Sequence, residues 1–253
     1  MKIVLTEITK LHGGKCCIAG ICREERRLYR LSDPYVTLEF VLANKWRVGT
    51  ELDGTFILEH PSDPVHCEDS KWSATRTGRI AEGDTLRSLF SDSTVTSLTE
   101  SLGIVGRGTP VDSFRPQGRS IVTLQPSSLS IARKEPYKEG GKPSIRAEFC
   151  CSGSLMKFVP ITDIRFFNAD GTINDEAVVV AQGHIDAVQA GKEEVFVRVG
   201  VTRPFDPTEA GNLQYWLQID GLHFFSKITR KYVRDFHVDD NGVVGVNGAN
   251  HNG

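Results

Sequence analysis

Residues 15–32, KCCIAGICREERRLYRLS, hold two short apolar runs on either side of the polar turn Arg23–Arg26. Short runs rich in β-branched and aromatic residues, separated by a few polar residues, predict a β-hairpin. Residues 142–163, KPSIRAEFCCSGSLMKFVPITD, repeat this pattern in the second half of the chain. The two stretches therefore predict two small β domains within one chain of 253 residues.

Further strand-like segments surround both hairpins. In the first half, strands are expected at 2–8 and 49–59, whereas residues 36–46 fit a helix or a strand equally. In the second half, the candidate strands are 120–125, 129–133, 144–151, 155–161, 177–181, 194–201, 213–219 and 222–228. Many short strands with turns between them are typical of a barrel or a sandwich.

The segment between the two sets of strands has a different character. Two short helices are predicted at 84–91 and 94–102, and the glycines and prolines of residues 103–118 are typical of a linker or a long surface loop. We therefore predict three parts: a first domain at 1–118 with a helical insertion at 84–102, a second domain at 119–238, and a flexible tail at 239–253.

The composition limits the classes of function. A formal net charge of −2 and a pI near 6.4 are unlike a strongly basic nucleic-acid binder, so any such binding must use local patches. The six cysteines include two vicinal pairs within strand-like runs, which predicts reduced, mostly buried thiols in a cytoplasmic protein. No apolar stretch reaches the roughly 18 residues of a membrane span, and the first residues become charged too early for a signal peptide.

Several motifs, in order along the chain, resemble those of the bacterial and archaeal dual OB-domain proteins. After the opening strand come a His-Gly-Gly turn, the run Cys17–Ile21 and then Tyr29–Ser32, where only Arg30 and Ser32 match the family's Trp-Ile-Arg-Pro-Val-Ser-like strand well. The other similar segments are Pro64–Asp69, Ile145–Phe149, Val159–Asp163, Val197–Phe205 and Gln214–Ile219. The resemblance covers about residues 1–228, with a gap in agreement at roughly 76–120.

The resemblance implies a mainly β fold of two tandem OB-like small β-barrels with a short helical insertion. It also implies a role with nucleic acid, and it brings no defined reaction. OB barrels bind single strands or structured nucleic acid across one face. The leading hypothesis is therefore a non-catalytic accessory protein that binds DNA or RNA in nucleic-acid processing, repair or defence.

Nucleic-acid binding needs basic side chains for phosphates and aromatic rings on which bases can stack. The chain places such residues close together in three local patches. Within a strand, Arg146 faces away from Ile145 and Ala147 and can therefore point outward. The candidate binding residues are Arg27, Tyr29, Arg30, Lys71, Trp72, Arg146, Lys227 and Arg230.

Two other functions stay open at this stage. A barrel with a slightly negative net charge could instead bind a protein partner. A metal-dependent hydrolase or modifying enzyme for nucleic acid would need a cluster of metal ligands, and residues 60–69 supply the candidates His60, Asp63, His66, Cys67, Glu68 and Asp69. Their spacing matches no established metal site, so we predict no bound metal, no cofactor and no catalytic residue.

Overall fold

The structure is a computed structural model. It describes residues 1–60, 65–81, 83–105, 111, 113–114, 117–136, 139–204, 212–232, 237–238 and 244–245. At 105, 113–114, 237–238 and 244–245 only the backbone is described. Most of the predicted tail therefore lies outside the described residues.

Short strands dominate the described chain, which confirms the prediction of a mainly β protein. The elements of the first half are β1 (Lys2–Lys10), a 3-10 turn (His12–Gly14), β2 (Lys15–Cys22), β3 (Arg27–Asp33), β4 (Val36–Thr37), α1 (Leu38–Ala43), β5 (Thr50–Leu58), β6 (Asp69–Ile80), α2 (Gly83–Asp92), α3 (Leu98–Leu102), β7 (Ile104–Val105) and β8 (Ser113–Phe114). Those of the second half are β9 (Ile121–Leu124), β10 (Ser128–Lys134), β11 (Ser144–Cys151), β12 (Ser154–Pro160), a 3-10 turn (Ile164–Phe166), α4 (Asp175–Gln189), β13 (Glu193–Val201), β14 (Leu217–Ser226), β15 (His237–Val238) and β16 (Val244–Gly245).

Five strands of the first half close into a β-barrel. Their order is β1-β5-β6-β3-β2, and a pairing between β1 and β2 closes the ring. The pair β3–β6 is parallel, and the other pairs of the ring are antiparallel. Alternate residues of these strands, among them Ile3, Leu5, Ile18, Leu31 and Leu52, fill the interior.

Gly20, in the run that decides the fold, is required by the close approach of β1 and β2. A Cβ atom at this position would lie 2.8 Å from the carbonyl oxygen of Val4. The strand register shifts at this point, between Leu5 and Glu7. The small residue therefore lets the barrel close where β1 bends.

The second half contains two three-stranded antiparallel sheets that share one apolar core. Their orders are β10-β11-β12 and β14-β13-β9. On one side the chain runs from β9 into β10 through residues 125–127. On the other side, Ile161 just after β12 forms a parallel bridge to Ile219 in β14. Phe149 of one sheet and Val197 of the other are both fully buried in the shared core.

Helix α4 replaces a predicted strand, because residues 177–181 were expected to be extended. Asn174 caps the helix by accepting a hydrogen bond from the backbone NH of Ala177. Ala177, Ala181 and Ile185 then recur every four residues and pack on the core. The prediction was wrong because it gave more weight to the strand propensity of the β-branched run Val178–Val180 than to the cap and the helical spacing of the buried residues.

The other elements follow the predictions more closely. Helices stand at 83–92 and 98–102, where two were predicted, and the ambiguous segment 36–46 contains α1. The two strands expected at 213–219 and 222–228 form the single strand β14. Residues of α3 pack on the core of the second half, since Leu98 and Leu102 belong to its cluster.

A third apolar cluster lies between the barrel and the second half. Its members are Val4, Ile21, Val48, Leu86, Leu89, Phe90, Phe196, Phe225 and Tyr232. Helix α2 supplies Phe90, whose ring centroid lies 6.0 Å from that of Phe196 and 4.2 Å from that of His223. The predicted helical insertion thus forms part of the junction between the two halves.

A buried ion pair crosses the same junction. Arg198 of β13 donates from Nε and Nη2 to the two carboxylate oxygens of Glu7 in β1, both at 2.9 Å. Its Nη1 donates to Thr123 Oγ1 at 2.7 Å. Both charged side chains are almost wholly buried, at 2% and 1% exposed. Because each group satisfies the other, the pair is tolerated in the interior, whereas either partner alone would be an uncompensated buried charge.

We expect Arg198→Met to lower the free energy of unfolding by about 3–5 kcal/mol, because it leaves the Glu7 carboxylate buried without its partner. Urea unfolding measures the change. Arg133→Ala is the matched control, since Arg133 is paired with Asp175 on the surface, where such pairs contribute about 0–1 kcal/mol. Equal losses in the two variants would contradict the role given to the buried pair.

Candidate functional site

A cleft of about 700 Å³ opens where the barrel meets the second half. Its walls come from the β2–β3 hairpin, from α2 and the residues that follow it, and from the segment around Gly118 that leads into β9. Arg23, Arg26, Arg27 and Arg119 line it. All four side chains are exposed, and within the described part of the chain none of them forms an ion pair.

The hairpin turn presents its arginines and holds its acids away from the cleft. Arg26 adopts a left-handed backbone conformation, with φ of 52°, which reverses the chain within the short turn. Glu24 accepts a hydrogen bond from Cys22 Sγ at 3.3 Å, and Glu25 accepts one from the hydroxyl of Tyr29. Neither glutamate lines the cleft. The two acids that dilute the charge in the sequence are therefore bonded to Cys22 and Tyr29, but both stay exposed, and Glu24 still interacts with the charge of Arg23.

Among the described residues, two acids line the cleft, and one of them is exposed. Glu68 is buried, and its Oε1 accepts hydrogen bonds from the backbone NH of Ser120, at 3.1 Å, and from the Ser120 hydroxyl. Burial raises the pKa of Glu68, and the nearby Arg30 opposes that rise. Asp92 is exposed. Among the described lining residues, four exposed guanidinium groups therefore face one exposed carboxylate, so this part of the cleft carries an excess of positive charge.

Asp69 lies beside this cleft and joins the two halves. It is 1% exposed, and its carboxylate accepts from Arg30 on one oxygen and from Arg203 on the other. Arg30 also donates from Nη1 to Ser120 Oγ at 3.4 Å. Arg30, which is 13% exposed, and Arg203, which is 56% exposed, thus neutralise the buried Asp69 carboxylate.

The predicted binding residues are scattered by the fold. Arg27 lies in the cleft. Arg30 is held by Asp69, and Tyr29 is 4% exposed within the barrel core. Lys71 is exposed and lies 3.8 Å from Asp33, whereas Trp72 donates from Nε1 to the carbonyl of Pro34 at 2.9 Å.

The remaining three predicted residues lie in the second half. Arg146 is half-buried and donates to Ser144 Oγ and to the carbonyl of Phe158, and burial lowers its pKa. Lys227 and Arg230 are exposed in the turn after β14, with Arg230 lying 3.9 Å from Asp84. None of these three lines the cleft.

Sequence reasoning missed Arg119. This residue is close to the hairpin arginines only in space, because β9 starts just after it and packs beside β13. Its neighbours Gly118 and Ser120 carry no motif that points to a site. Its place in the cleft could have been found only from the way the two halves dock.

The candidate metal-binding loop does not assemble a ligand cluster. In the part of the chain that the structure describes, no three His, Cys, Asp or Glu side chains are placed to hold a metal ion. Glu68 is held by Ser120, and Asp69 by Arg30 and Arg203. Asp63 lies outside the described residues.

No protein-family model matches the chain, and no curated protein matches it in sequence. Among the described residues, no helix is both long enough and apolar enough to span a membrane. The candidate site therefore has to be interpreted from its own residues.

Behind the cleft, a buried acid makes stability depend on pH. Asp220 of β14 is 3% exposed, and a Cβ atom on Gly200 of the neighbouring strand β13 would lie 2.0 Å from its Oδ2, so the Asp220 side chain requires glycine at position 200. Burial raises the pKa of Asp220 from 3.8 to about 7, and the neighbouring Glu7 adds to the rise. Gln218 donates to its Oδ1 at 2.7 Å.

The folded protein therefore keeps a proton on Asp220 that the unfolded chain releases above about pH 4. The contribution of Asp220 to the free energy of unfolding should fall as the pH rises from about 4 to about 7 and should level off above that. Asp220→Asn should flatten this fall. Between about pH 4 and about pH 7, the free energy of unfolding of the variant should therefore rise relative to that of the wild type by up to about 4 kcal/mol. Urea unfolding at a series of pH values measures it.

The control for this experiment is Asp53→Asn, at an aspartate that is 51% exposed. Its profile should keep the fall that Asp220 produces, because this variant leaves Asp220 in place. A profile for Asp220→Asn that also keeps this fall would show that Asp220 does not hold a proton in the folded protein.

Proposed function

We propose that this chain is a non-catalytic nucleic-acid-binding protein, and that the cleft between its two halves binds the phosphate backbone. The observation that carries the proposal is a set of four exposed arginines, none of which has an ion-pair partner among the described residues: Arg23, Arg26, Arg27 and Arg119. A guanidinium group presents a planar set of donors that matches phosphate geometry. Release of counterions from the neutralised phosphates then drives binding.

The net charge of −2 fits this proposal, because the excess positive charge is local. The hairpin and the Gly118–Ser120 segment hold the arginines around one concave surface. Low-dielectric walls on either side of such a surface strengthen its field and favour an anionic ligand. The hydroxyl groups of Thr85 and Ser88 on α2 also line the cleft and could donate to phosphate oxygens.

The barrel supports the same proposal through its topology. Numbered along the chain, its five strands follow the ring order 1-2-3-5-4, with strands 3 and 5 parallel and a short helix, α1, between strands 3 and 4. This arrangement is that of the OB fold, a Greek-key barrel that commonly binds oligonucleotides. We assign the first half to this fold as part of the proposal.

The second half follows a similar order. If β9 and β10 are taken as one interrupted strand, the order becomes β9/β10-β11-β12-β14-β13, with a parallel contact at Ile161 and Ile219 and with α4 between β12 and β13. We propose that the two sheets form a second OB-type barrel. A tandem arrangement would agree with the resemblance to the dual OB-domain proteins and with an accessory role in processing, repair or defence.

The proposal predicts a change in salt dependence when cleft arginines are removed. The double variant Arg27→Ala, Arg119→Ala should bind labelled single strands more weakly than the wild type does. The slope of log K against log salt should fall by about 1.4, since each lost phosphate contact on a single strand removes about 0.7. Fluorescence anisotropy between about 50 and 200 mM salt measures both quantities for single-stranded DNA, single-stranded RNA and duplex.

The control variant is Arg79→Ala, which removes an exposed arginine outside the cleft and should leave the slope unchanged. Asp92→Asn, which removes the exposed acid of the cleft, should raise the affinity. Absence of salt-dependent binding by the wild type would overturn the proposal. A stoichiometric partner recovered after nuclease treatment would then favour protein binding.

A further inference from the structure

Phe158 combines two costly features on the outer surface of the second half. Its side chain is 51% exposed, so a large apolar ring faces water. Its backbone is left-handed, with φ of 56°, a conformation that bulky residues rarely adopt because their Cβ meets the backbone. Strained backbone conformations of this kind cluster at binding sites. The pairing of both features at one residue points to a use for the ring.

A β-bulge explains how the ring comes to face outward. Ala147 pairs with Val159 and Phe149 pairs with Met156, so Lys157 and Phe158 both stand opposite the single residue Glu148. Val159 and Met156 on either side of the bulge are buried. The extra residue lets Lys157 and Phe158 both be exposed, whereas regular alternation would have buried one of them.

One basic group lies over the ring, and two other basic residues are its neighbours in the sheet. Lys134 Nζ lies 5.7 Å from the centroid of the Phe158 ring, and Arg146 donates from Nη1 to the Phe158 carbonyl at 3.2 Å. Lys157 precedes Phe158 in the bulge and is exposed. An exposed aromatic ring on a sheet that also carries Lys134, Lys157 and Arg146, with Glu148 as the acid opposite the bulge, has the composition of a base-stacking site, in which the cations bind the flanking phosphates.

We infer that Phe158 stacks on an unpaired base, with Lys134, Lys157 and Arg146 near the adjoining phosphates. The inference rests on the proposed function, which makes the ligand a nucleic acid, and it adds that this nucleic acid is single-stranded. A base inside a duplex is stacked on both faces, so this site would take a single strand. The occupant is a nucleic acid because the ring has a cationic rim, which is complementary to phosphate.

Replacement of Phe158 by glycine separates binding from folding. Glycine adopts the left-handed conformation without steric cost, so Phe158→Gly should melt at or above the temperature of the wild type. Its affinity for oligothymidylate of about 12 nucleotides should fall roughly fivefold to 100-fold, the range for loss of one stacked base. Phe158→Tyr, which keeps a ring, should retain the affinity. Leu155→Ala is the control, since Leu155 is another exposed apolar residue of β12.

An abasic chain of the same length supplies the matched control ligand, because it keeps the phosphates and lacks the bases. Fluorescence anisotropy at about 50 mM salt should show that the wild type prefers oligothymidylate and that Phe158→Gly abolishes this preference. The variant should bind the abasic chain as the wild type does.

Three outcomes would overturn the inference in distinguishable ways. If Phe158→Gly binds oligothymidylate within about twofold of the wild type, stacking fails while cleft binding stands. If the variant loses as much affinity for the abasic chain as it does for oligothymidylate, Phe158 contributes to the phosphate contacts and not to stacking. If the wild type binds neither ligand at any salt concentration, the proposed function and the stacking site both fall.

Discussion

The buried contact between Arg198 and Glu7 is the constraint on which the arrangement of the two halves depends. A carboxylate in β1 and a guanidinium group in β13 are both removed from water, and each is stable there only because the other is present. The apolar cluster around Phe90 and Phe196 adds contact area, but apolar contact is not directional. The ion pair and Thr123 supply the directional bonds that hold one docking arrangement.

The cleft is a consequence of this docking. The β2–β3 hairpin and the segment that carries Arg119 come from different halves, and they face each other only when β1 and β13 are joined. At the same junction, Glu68 and Asp69 are bound by Ser120, Arg30 and Arg203. The Asp69 carboxylate is neutralised by Arg30 and Arg203, and Glu68 is held by hydrogen bonds from Ser120. This division of charge lets a chain of slightly negative net charge carry a cationic surface.

The secondary structure could be predicted from the local sequence pattern wherever strand-forming and turn-forming residues indicate the same structure. The hairpin around Arg23–Arg26 and the pair β11–β12 appear where the sequence places them. Residues 177–181 did not follow, because propensity favoured a strand while Asn174 and the buried alanines favour a helix. The candidate site was harder to predict. Arg27 was identified from its basic neighbours, whereas on the same hairpin Tyr29 lies in the barrel core and Arg30 is bonded to Asp69 at the junction.

By itself, the sequence determined the strands, their turns and the mainly β class, because these depend on residues that are neighbours along the chain. It also placed a cluster of arginines on one hairpin. Only the tertiary structure decided which of the charges are free, because ion pairs such as Arg198–Glu7 join residues far apart in the sequence. The exposure of Phe158 was decided in the same way, by a bulge that depends on the register between two strands.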